Sequence, residues 1–281
     1  MRYGLELAPW GPYADPRALA RLAQTAEAAG WDGVFLWDSM LHDPDDLPKA
    51  DPWLALAAVA LATERVRLGT MVTPLPRRRP WQLARQAVTL DHLSGGRLIL
   101  GVGLGDPSEE EFAWFGEIGT DHRTRARQLD EGLAILDGLW RGEPFAFAGE
   151  FYRLHEMTFL PRPVQTPRIP IWVGGWWPNT APMRRAARWD GVHPGRLGRP
   201  LSPDDVRALV AYVAEHRSAP EPFDVAVGGT TPGDDPSAAR DQVAAVATAG
   251  ATWWMETCGV EGRLFPPERI EARVRQGPPR A

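Results

Sequence analysis

The chain has 281 residues, of which 44% are hydrophobic, and its 31 basic and 36 acidic side chains give a formal net charge of −5. This length suits one large α/β domain or two small ones, and the apolar fraction is too high for an intrinsically disordered chain. The acidic balance argues against a nucleic-acid partner, no apolar run approaches the roughly 18 residues of a membrane span, and the single cysteine excludes a disulfide framework. The sequence begins directly with a strand pattern and no secretory signal, so we expect a cytoplasmic protein.

The lysine content excludes two further classes of enzyme. Lys49 is the only lysine among the 31 basic residues, and it lies in a polar stretch, 42–51, typical of a loop. Schiff-base aldolases and pyridoxal-phosphate barrels both need a lysine amine that faces a pocket. The sequence therefore disfavours both chemistries.

Hydrophobic periodicity predicts strands and helices that alternate along the whole chain. The predicted strands cover residues 3–8, 33–37, 66–72, 97–102, 169–173, 191–193, 223–228 and 252–256. The predicted helices cover residues 16–29, 52–63, 80–93, 121–140, 180–189, 203–217, 236–249 and 267–275, with Asp15 as the N-cap of the first. Strict alternation favours a parallel sheet, and eight units favour a closed (β/α)8 TIM barrel over a doubly wound sheet. We expect a single domain, 1–281, with a Pro-rich insertion between the fourth and fifth strands at about 106–168.

In such a barrel the chemistry lies where strands end and loops begin. Asp38 closes the second strand and is either a site carboxylate or the cap of a turn. Gly103 and Gly105 belong to a Gly-x-Gly-x-Gly run after the fourth strand. Such a run allows a flat ligand or a phosphate to approach the backbone, or it is a plain turn, and its spacing does not fit a dinucleotide-binding fingerprint.

Two further segments indicate an anion site. Gly174 and Gly175 close the fifth strand, and Asn179 or Thr180 can cap the helix that follows, whose next turn carries two arginines. The run 77–79 (Arg-Arg-Arg), after the third strand, is either a solvated loop or part of an anion site. No cluster of acids and histidines has the spacing of metal ligands, so a metal hydrolase is disfavoured.

Tryptophans are concentrated on and just after the predicted strands. Trp172 and Trp253 are expected in the core. The others of this group occupy the functional side, where indoles indicate an aromatic ligand or a closed apolar pocket. The residues expected to line this pocket are Trp10, Trp37, Trp176 and Trp177.

Five segments together resemble the bacterial-luciferase-like flavin-dependent oxidoreductases, or luciferase-like monooxygenases. The segments are 26–38, 61–74, 90–105, 169–175 and 184–191. The most specific part is the combination of Ser-Gly-Gly-Arg at 94–97 with Leu-Gly-Thr at 68–70. The likeness extends over nearly the whole chain.

The resemblance implies a barrel that holds a flavin or deazaflavin at its C-terminal face. The ring is expected against the ends of the third and fourth strands, and the phosphate near the end of the fifth. The residues implied in cofactor binding are Thr70, Met71, Val72, Thr73, Gly103, Gly105, Gly174, Gly175, Asn179 and Thr180. A cis peptide bond between Met71 and Val72, in a bulge, is also implied. Members often carry a histidine after the acid that closes the second strand, but Ser39 stands there, so the expected catalytic residues are Asp38 with His42 or His193.

The resemblance leaves the chemistry open between two cofactors. Our first expectation is a monooxygenase that uses O2 and reduced FMN from a separate flavin reductase on an apolar or aromatic small molecule, since a dry aromatic pocket suits that reaction. The alternative is F420-dependent hydride transfer. The residues able to meet the anionic tail of F420 are Arg77, Arg78, Arg79, Arg196 and Arg199. A flavin-binding protein without turnover and a barrel lyase without a redox cofactor are the remaining classes, and we expect a homodimer that binds no metal.

Overall fold

Twelve strands and nine helices are present in the computed structural model, which describes residues 1–40, 47–105, 110–116, 121–260 and 263–280. The strands are β1 (Arg2–Leu7), β2 (Gly33–Leu36), β3 (Arg67–Pro74), β4 (Leu98–Gly103), β5 (Pro144–Ala148), β6 (Arg153–Thr158), β7 (Ile171–Trp176), β8 (Gly191–Gly195), β9 (Asp224–Gly229), β10 (Trp253–Thr257), β11 (Gly259–Val260) and β12 (Arg263–Leu264). The helices are α1 (Pro16–Ala28), α2 (Pro52–Ala62), α3 (Pro80–Ser94), α4 (Glu110–Trp114), α5 (His122–Trp140), α6 (Thr180–Ala186), α7 (Pro203–His216), α8 (Pro236–Thr248) and α9 (Pro267–Gln276). Short 3₁₀ turns occupy Gly11–Ala14 and Leu75–Arg77.

Eight of these strands form a closed barrel in the order β1-β10-β9-β8-β7-β4-β3-β2, and neighbouring strands run parallel. This confirms the predicted (β/α)8 architecture. Between β4 and β7 the chain adds α4 and an antiparallel hairpin, β5–β6, to the helix α5. Within the described residues no helix is both long enough and apolar enough to cross a membrane.

Helix starts follow the capping signals of the sequence. The Asp15 carboxylate accepts a hydrogen bond from the backbone N–H of Arg17 at 2.9 Å, as predicted, and Asp51 does the same for Leu54 at 2.9 Å. Proline stands in the first turn of α1, α2, α3, α7, α8 and α9, where its missing N–H costs no helical hydrogen bond. The helix α6 ends three residues earlier than predicted, at Ala186.

Three aromatic rings fill the lower part of the barrel bore. Phe35 stacks on Trp172 with ring centroids 5.5 Å apart, and Trp253 meets Trp172 edge to face at 5.3 Å. All three side chains are fully buried, so the expectation that Trp172 and Trp253 belong to the core is confirmed. A Cβ on Gly191 would lie 2.5 Å from Trp172, and one on Gly33 2.7 Å from Phe35, so glycines provide the room for the rings. This plug closes the bore from below and leaves the carboxyl end as the entrance.

The strand β3 carries the backbone irregularity that the resemblance implied. Its register against β4 shifts between Thr70 and Thr73, and the Met71–Val72 peptide bond is cis. Both expectations are confirmed. The shift sets the side chain of Val72 among the residues that line the bore.

Arg97, the last residue of the Ser-Gly-Gly-Arg block, is a buried structural clamp. Its guanidinium donates to the carbonyl oxygens of Ala60, Thr63, Val66 and Ser94, and to the hydroxyl of Thr63, at 2.7–2.9 Å. The five bonds tie the end of α2 and the loop before β3 to the start of β4. One of the most specific pieces of the resemblance is therefore explained by folding rather than by binding.

We expect Arg97→Ala to lower the free energy of unfolding by about 3 kcal/mol or more, because four buried carbonyl groups lose a charged donor at once. Urea denaturation measures this change. Arg275→Ala is the matched control, since Arg275 is 63% exposed and pairs with Glu271 in its own helix. That variant should change stability by no more than about 0.5 kcal/mol. Equal effects of the two substitutions would contradict the clamp.

Candidate active site in the barrel mouth

A carboxylate and an imidazole meet inside the bore above the aromatic plug. The Oε2 atom of Glu6, on β1, lies 3.8 Å from Nε2 of His193, on β8. The strands β9 and β10 separate these two strands in the barrel, so the contact passes through the interior and not along the wall. Glu6 Oε1 also accepts a 2.7 Å hydrogen bond from the indole N–H of Trp37. The structure thus places the predicted residue His193 at the centre of the mouth.

The hydrogen bond of His193 indicates which of its two ring nitrogens carries the proton. Its Nδ1 atom lies 3.0 Å from the carbonyl oxygen of Ala226, an acceptor, so we assign the proton to Nδ1. In the neutral ring Nε2 then carries the lone pair that faces Glu6 and the bore. The Cβ position of Gly228 is 3.6 Å from Glu6 Oε2, His193 Cε1 and Thr257 Oγ1, so these three polar groups surround one spot on the wall.

The opposite side of the mouth is apolar. A Cβ on Gly103 would lie 2.6 Å from Cγ2 of Val72, and one on Gly174 would lie 2.9 Å from its Cγ1. The isopropyl group of Val72 therefore rests against two stretches of bare backbone, on β4 and β7. Val72 and Gly174 are both half-buried, so this surface is reached from the mouth. The two glycines leave the room that the Val72 side chain occupies, so the surface presented to the mouth here is the isopropyl group itself.

The four predicted pocket tryptophans occupy three different environments. Trp37 lies at the bore, and the buried Trp10 packs edge to face behind it with ring centroids 5.6 Å apart. Trp176, 43% exposed, lies across Gly195 at the rim of the mouth. Trp177 points away from the bore and packs against Tyr212 of α7 at 6.4 Å. The structure thus brings Trp37 and Trp176 to the mouth, with Trp10 in support, and Trp177 to the outer helices.

The carboxylate of Asp38 lies outside the bore, in a buried network of charges. Arg77 approaches its Oδ1 at 2.6 Å, Arg78 approaches its Oδ2 at 2.9 Å, and the Thr73 hydroxyl donates to Oδ2 at 2.8 Å. Arg77 also pairs with Glu111 of α4 at 2.5 Å. The Asp38 side chain is only 1% exposed. We expected Asp38 to be the main charged group beside the tryptophans, and the structure corrects this: Glu6 occupies that position, because two arginines draw Asp38 to the outer side of β3.

The threonines of β3 belong to the same outer network. Thr73 accepts a 3.2 Å hydrogen bond from the indole of Trp53 on α2, and Thr70 donates to the carbonyl of Gly101 at 3.1 Å. Both residues are fully buried, and their hydroxyl groups are engaged within this network. Met71, their neighbour, packs with Phe35 in the core that fills the barrel.

The residues expected to form the phosphate site already contact other parts of the chain. A Cβ on Gly175 would lie 2.3 Å from Pro182, so this glycine makes room for α6. The side chain of Asn179 caps the N–H of Ala181 at 3.2 Å, in the turn where Thr180 begins α6. Arg185 pairs with Asp130 of α5 at 2.8 Å. Phosphate binding there stays a prediction, and the local geometry is explained by packing.

Two further residues predicted from the sequence, His42 and Gly105, have different outcomes. His42 lies outside the described residues, so its predicted catalytic role stays a prediction. Gly105 has a φ of +92°, a conformation that favours glycine, and a Cβ there would lie 2.7 Å from Phe112. Its glycine is thus required by the turn after β4. Among the described residues, no group of three or more histidine, cysteine, aspartate or glutamate side chains is arranged to hold a metal ion.

Glu6 is the charged residue of the mouth that the sequence analysis did not identify. It is an acid within the strand run Tyr-Gly-Leu-Glu-Leu-Ala, and no motif surrounds it. The available signal was the alternation of side chains along a strand, which places residues 4 and 6 on the same face of β1. The glycine at position 4 indicates that this face is the crowded inner face of the barrel. Another buried carboxylate, Glu256, accepts bonds from Thr231 at 2.8 Å and Trp254 at 2.9 Å, and it pairs with Arg273 of α9 at 3.3 Å, outside the bore.

Comparison with known proteins places this architecture in a family. The sequence profile of the luciferase-like monooxygenases matches residues 5–279. The chain belongs to the luciferase-like monooxygenase family. It is thereby an oxidoreductase, as the sequence resemblance implied.

One relative and two solved structures illustrate the range of the family. The F420-dependent glucose-6-phosphate dehydrogenase of Nakamurella multipartita is 37% identical over 166 residues, which are 57% of this chain and 46% of that protein. The coenzyme F420 dependent tetrahydromethanopterin reductase of Methanopyrus kandleri superposes with a TM-score of 0.78 and 18% identity over 99% of this chain and 98% of that one. The oxygenating constituent of 3,6-diketocamphane monooxygenase of Pseudomonas putida, solved with FMN, superposes with a TM-score of 0.69 and 22% identity. The match covers 86% of this chain and 71% of that one. The two structures show the shared fold.

We expect Asp38→Asn to lower the free energy of unfolding by about 3 kcal/mol, because it leaves the buried guanidinium groups of Arg77 and Arg78 without full compensation. Thermal and urea denaturation measure the loss. Asp204→Asn is the matched control, since that carboxylate is 89% exposed and should contribute no more than about 0.5 kcal/mol. An Asp38 variant as stable as the wild type would show that the network does not hold the loops together.

Proposed function

We propose that the protein is an F420-dependent oxidoreductase that removes hydride from a hydroxyl-bearing carbon of a small molecule. The observation that carries this proposal is the Glu6–His193 pair, which faces the apolar wall of Val72, Gly103 and Gly174 across the bore. An acid–base pair on one side and an apolar surface on the other are the two components that such a reaction needs.

The apolar wall is suited to the deazaflavin ring. The side chain of Val72 would support one face of the ring, and Gly103 and Gly174 leave the room in which this side chain lies. When bound there, F420 would supply the hydride-accepting centre. The other face of the ring would then be open to the substrate and to the polar half of the mouth.

The polar half of the mouth supplies the proton acceptor. When hydride leaves a carbinol carbon, a C=O bond forms and the hydroxyl proton must go to a base. Nε2 of His193 is the available lone pair, and Glu6, 3.8 Å away, favours the imidazolium that results. The indole N–H of Trp37 fixes the Glu6 carboxylate at 2.7 Å, so the carboxylate positions the base without rotating away.

The similarity to an F420-dependent dehydrogenase of Nakamurella multipartita supports the choice of cofactor and of reaction type. The match covers 57% of this chain and less than half of that relative, so neither glucose 6-phosphate nor any other substrate is transferred with it. The proposal therefore names the class of the bond that is oxidised, an alcohol C–H, and leaves the carbon skeleton to experiment.

The reduced-FMN monooxygenase that the sequence ranked first becomes the second candidate. Its support is the aromatic set of Trp37, Trp10 and Trp176 together with the FMN complex of a structural neighbour. A reaction of reduced flavin with O2 benefits from a dry, apolar pocket. The ionisable pair inside the bore gives the opposite character, and for this reason we place hydride transfer first.

Anaerobic titration with F420, FMN and reduced FMN, followed by absorbance and equilibrium dialysis, distinguishes the two candidates. We expect F420 to bind at least about tenfold more tightly than either form of FMN, because the chain offers arginines to a polyanionic tail. The bound F420 should then be reduced by an alcohol from a substrate panel without O2. Binding of FMN alone, with O2-dependent product formation, would replace this proposal by the monooxygenase.

His193→Gln should lower kcat for alcohol oxidation by about 10²-fold while leaving the Kd of F420 within threefold of the wild type, since general-base catalysis contributes factors of this size. Glu6→Gln should show the same split between kcat and cofactor Kd at a smaller magnitude, about tenfold, because its role is to position the base. Glu27→Gln is the control: Glu27 accepts backbone bonds from residues 64–66, remote from the bore, and its loss should affect stability but not kcat. Unchanged kcat in the His193 variant would remove the proposed base.

A further inference from the structure

A cationic groove lies on the outer side of the rim, next to the end of β3. Its volume is about 650 Å³, and it opens between the start of α3, the helix α5 and the loop of the β5–β6 hairpin. Of the described residues that line it, none is acidic. Its polar lining includes Arg77, Arg78, Arg79, Arg85, Gln82 and Gln86.

The charge in this groove is only partly compensated. Arg77 and Arg78 pair with Asp38 and Glu111. In the part of the chain that the structure describes, the guanidinium groups of Arg79 and Arg85 form no ion pair. Arg85 instead lies 3.9 Å above the ring centroid of Phe159, which holds its cationic head in place. Two positive charges without an ion-pair partner among the described residues therefore remain in the groove of a protein whose net charge is −5.

The start of α3 adds a second, independent source of positive potential. The helix is 15 residues long and begins at Pro80, its N-cap residue Arg79 forms no capping bond through its side chain, and its first turn contains no acidic residue. The positive end of the helix dipole is thus left uncompensated beside Arg79 and Gln82. The amide groups of Gln82 and Gln86 add neutral donors along the same wall.

We infer that this groove binds an oligoanion, a chain of several carboxylate or phosphate groups. A monovalent anion would engage one guanidinium, whereas the two guanidinium groups of Arg79 and Arg85 in a groove of about 650 Å³ suit a ligand with several charges. Two sources offer that chemistry: the anionic tail of the cofactor in the proposed function, and a free polyphosphate or polycarboxylate.

The position of the groove is compatible with either source. Val72, on the apolar wall of the bore, and Arg79, in the groove, are seven residues apart on one continuous segment. A chain of that length spans at most about 25 Å, so a ligand with its ring against Val72 has the groove within reach of a flexible tail. The groups near Gly175 that would otherwise hold the tail are already engaged in packing α6.

Titration calorimetry with tripolyphosphate as the probe tests the groove directly. We expect the wild type to bind it with an affinity that falls steeply with salt, and the double variant Arg79→Gln/Arg85→Gln to lose at least about tenfold. The matched control is Arg65→Gln/Arg275→Gln, which removes the same charge from side chains that are 69% and 63% exposed elsewhere, and it should bind as the wild type does. No binding by the wild type, or equal loss in both double variants, would overturn the inference.

A comparison of F420 with its tail-less deazaflavin chromophore identifies the source. If the groove holds the cofactor tail, the Arg79/Arg85 double variant loses affinity for F420 and keeps its affinity for the chromophore. If both affinities are unchanged while tripolyphosphate binding is lost, the ligand is a free oligoanion. This second arm rests on the proposed function, and the two can fail separately: a protein that binds no F420 would contradict the proposed function, while the tripolyphosphate titration would still decide the groove.

Discussion

The space inside an eight-stranded barrel is the constraint on which the rest of this structure depends. The bore accommodates few large side chains, so each large ring has to face a position with no side chain. In the lower half, Phe35, Trp172 and Trp253 fill the space left by Gly33 and Gly191. In the upper half the side chain of Val72 packs against the glycines at 103 and 174, and Glu6, His193 and Thr257 lie around the glycine at 228. Glycines on the inner faces of the strands thus allow aromatic rings to close one end of the barrel, and at the other end they leave space for an open mouth.

The two acids near that mouth, Asp38 and Glu6, have different roles because their carboxylates have different neighbours. Asp38 is enclosed by Arg77, Arg78 and Thr73, and its charge is used to tie loops together. Glu6 has an indole N–H and an imidazole as neighbours, and no arginine among the contacts that the structure describes for it. A carboxylate held between two arginines stabilises the structure, but it is not available for proton transfer. A carboxylate beside a histidine can support proton transfer.

The outer network also joins the mouth to the cationic groove. Arg77 and Arg78 contact Asp38 on one side and line the groove on the other, and the segment that carries them continues directly from the bulge at Val72. A ligand in the bore and an anion in the groove would therefore contact the same short stretch of chain. The conformation of this stretch is fixed by buried charge pairs, so a preformed site needs little rearrangement on binding.

The sequence by itself determined the barrel, because eight alternating patterns of period 2 and 3.6 and the capping residues, such as Asp15 and Asp51, are local properties. It also indicated the core positions of Trp172 and Trp253, and its resemblance to the family implied the cis bond after Met71. Only the tertiary structure decided which groups share the bore. Glu6 and His193 are 187 positions apart and meet because barrel closure sets β1 and β8, with β9 and β10 between them, around one narrow space. Asp38 carries the more suggestive position at a strand end, but the direction of its side chain depends on Arg77 and Arg78, which arrive from another loop. No local pattern contains that information, since it is created when distant segments pack together.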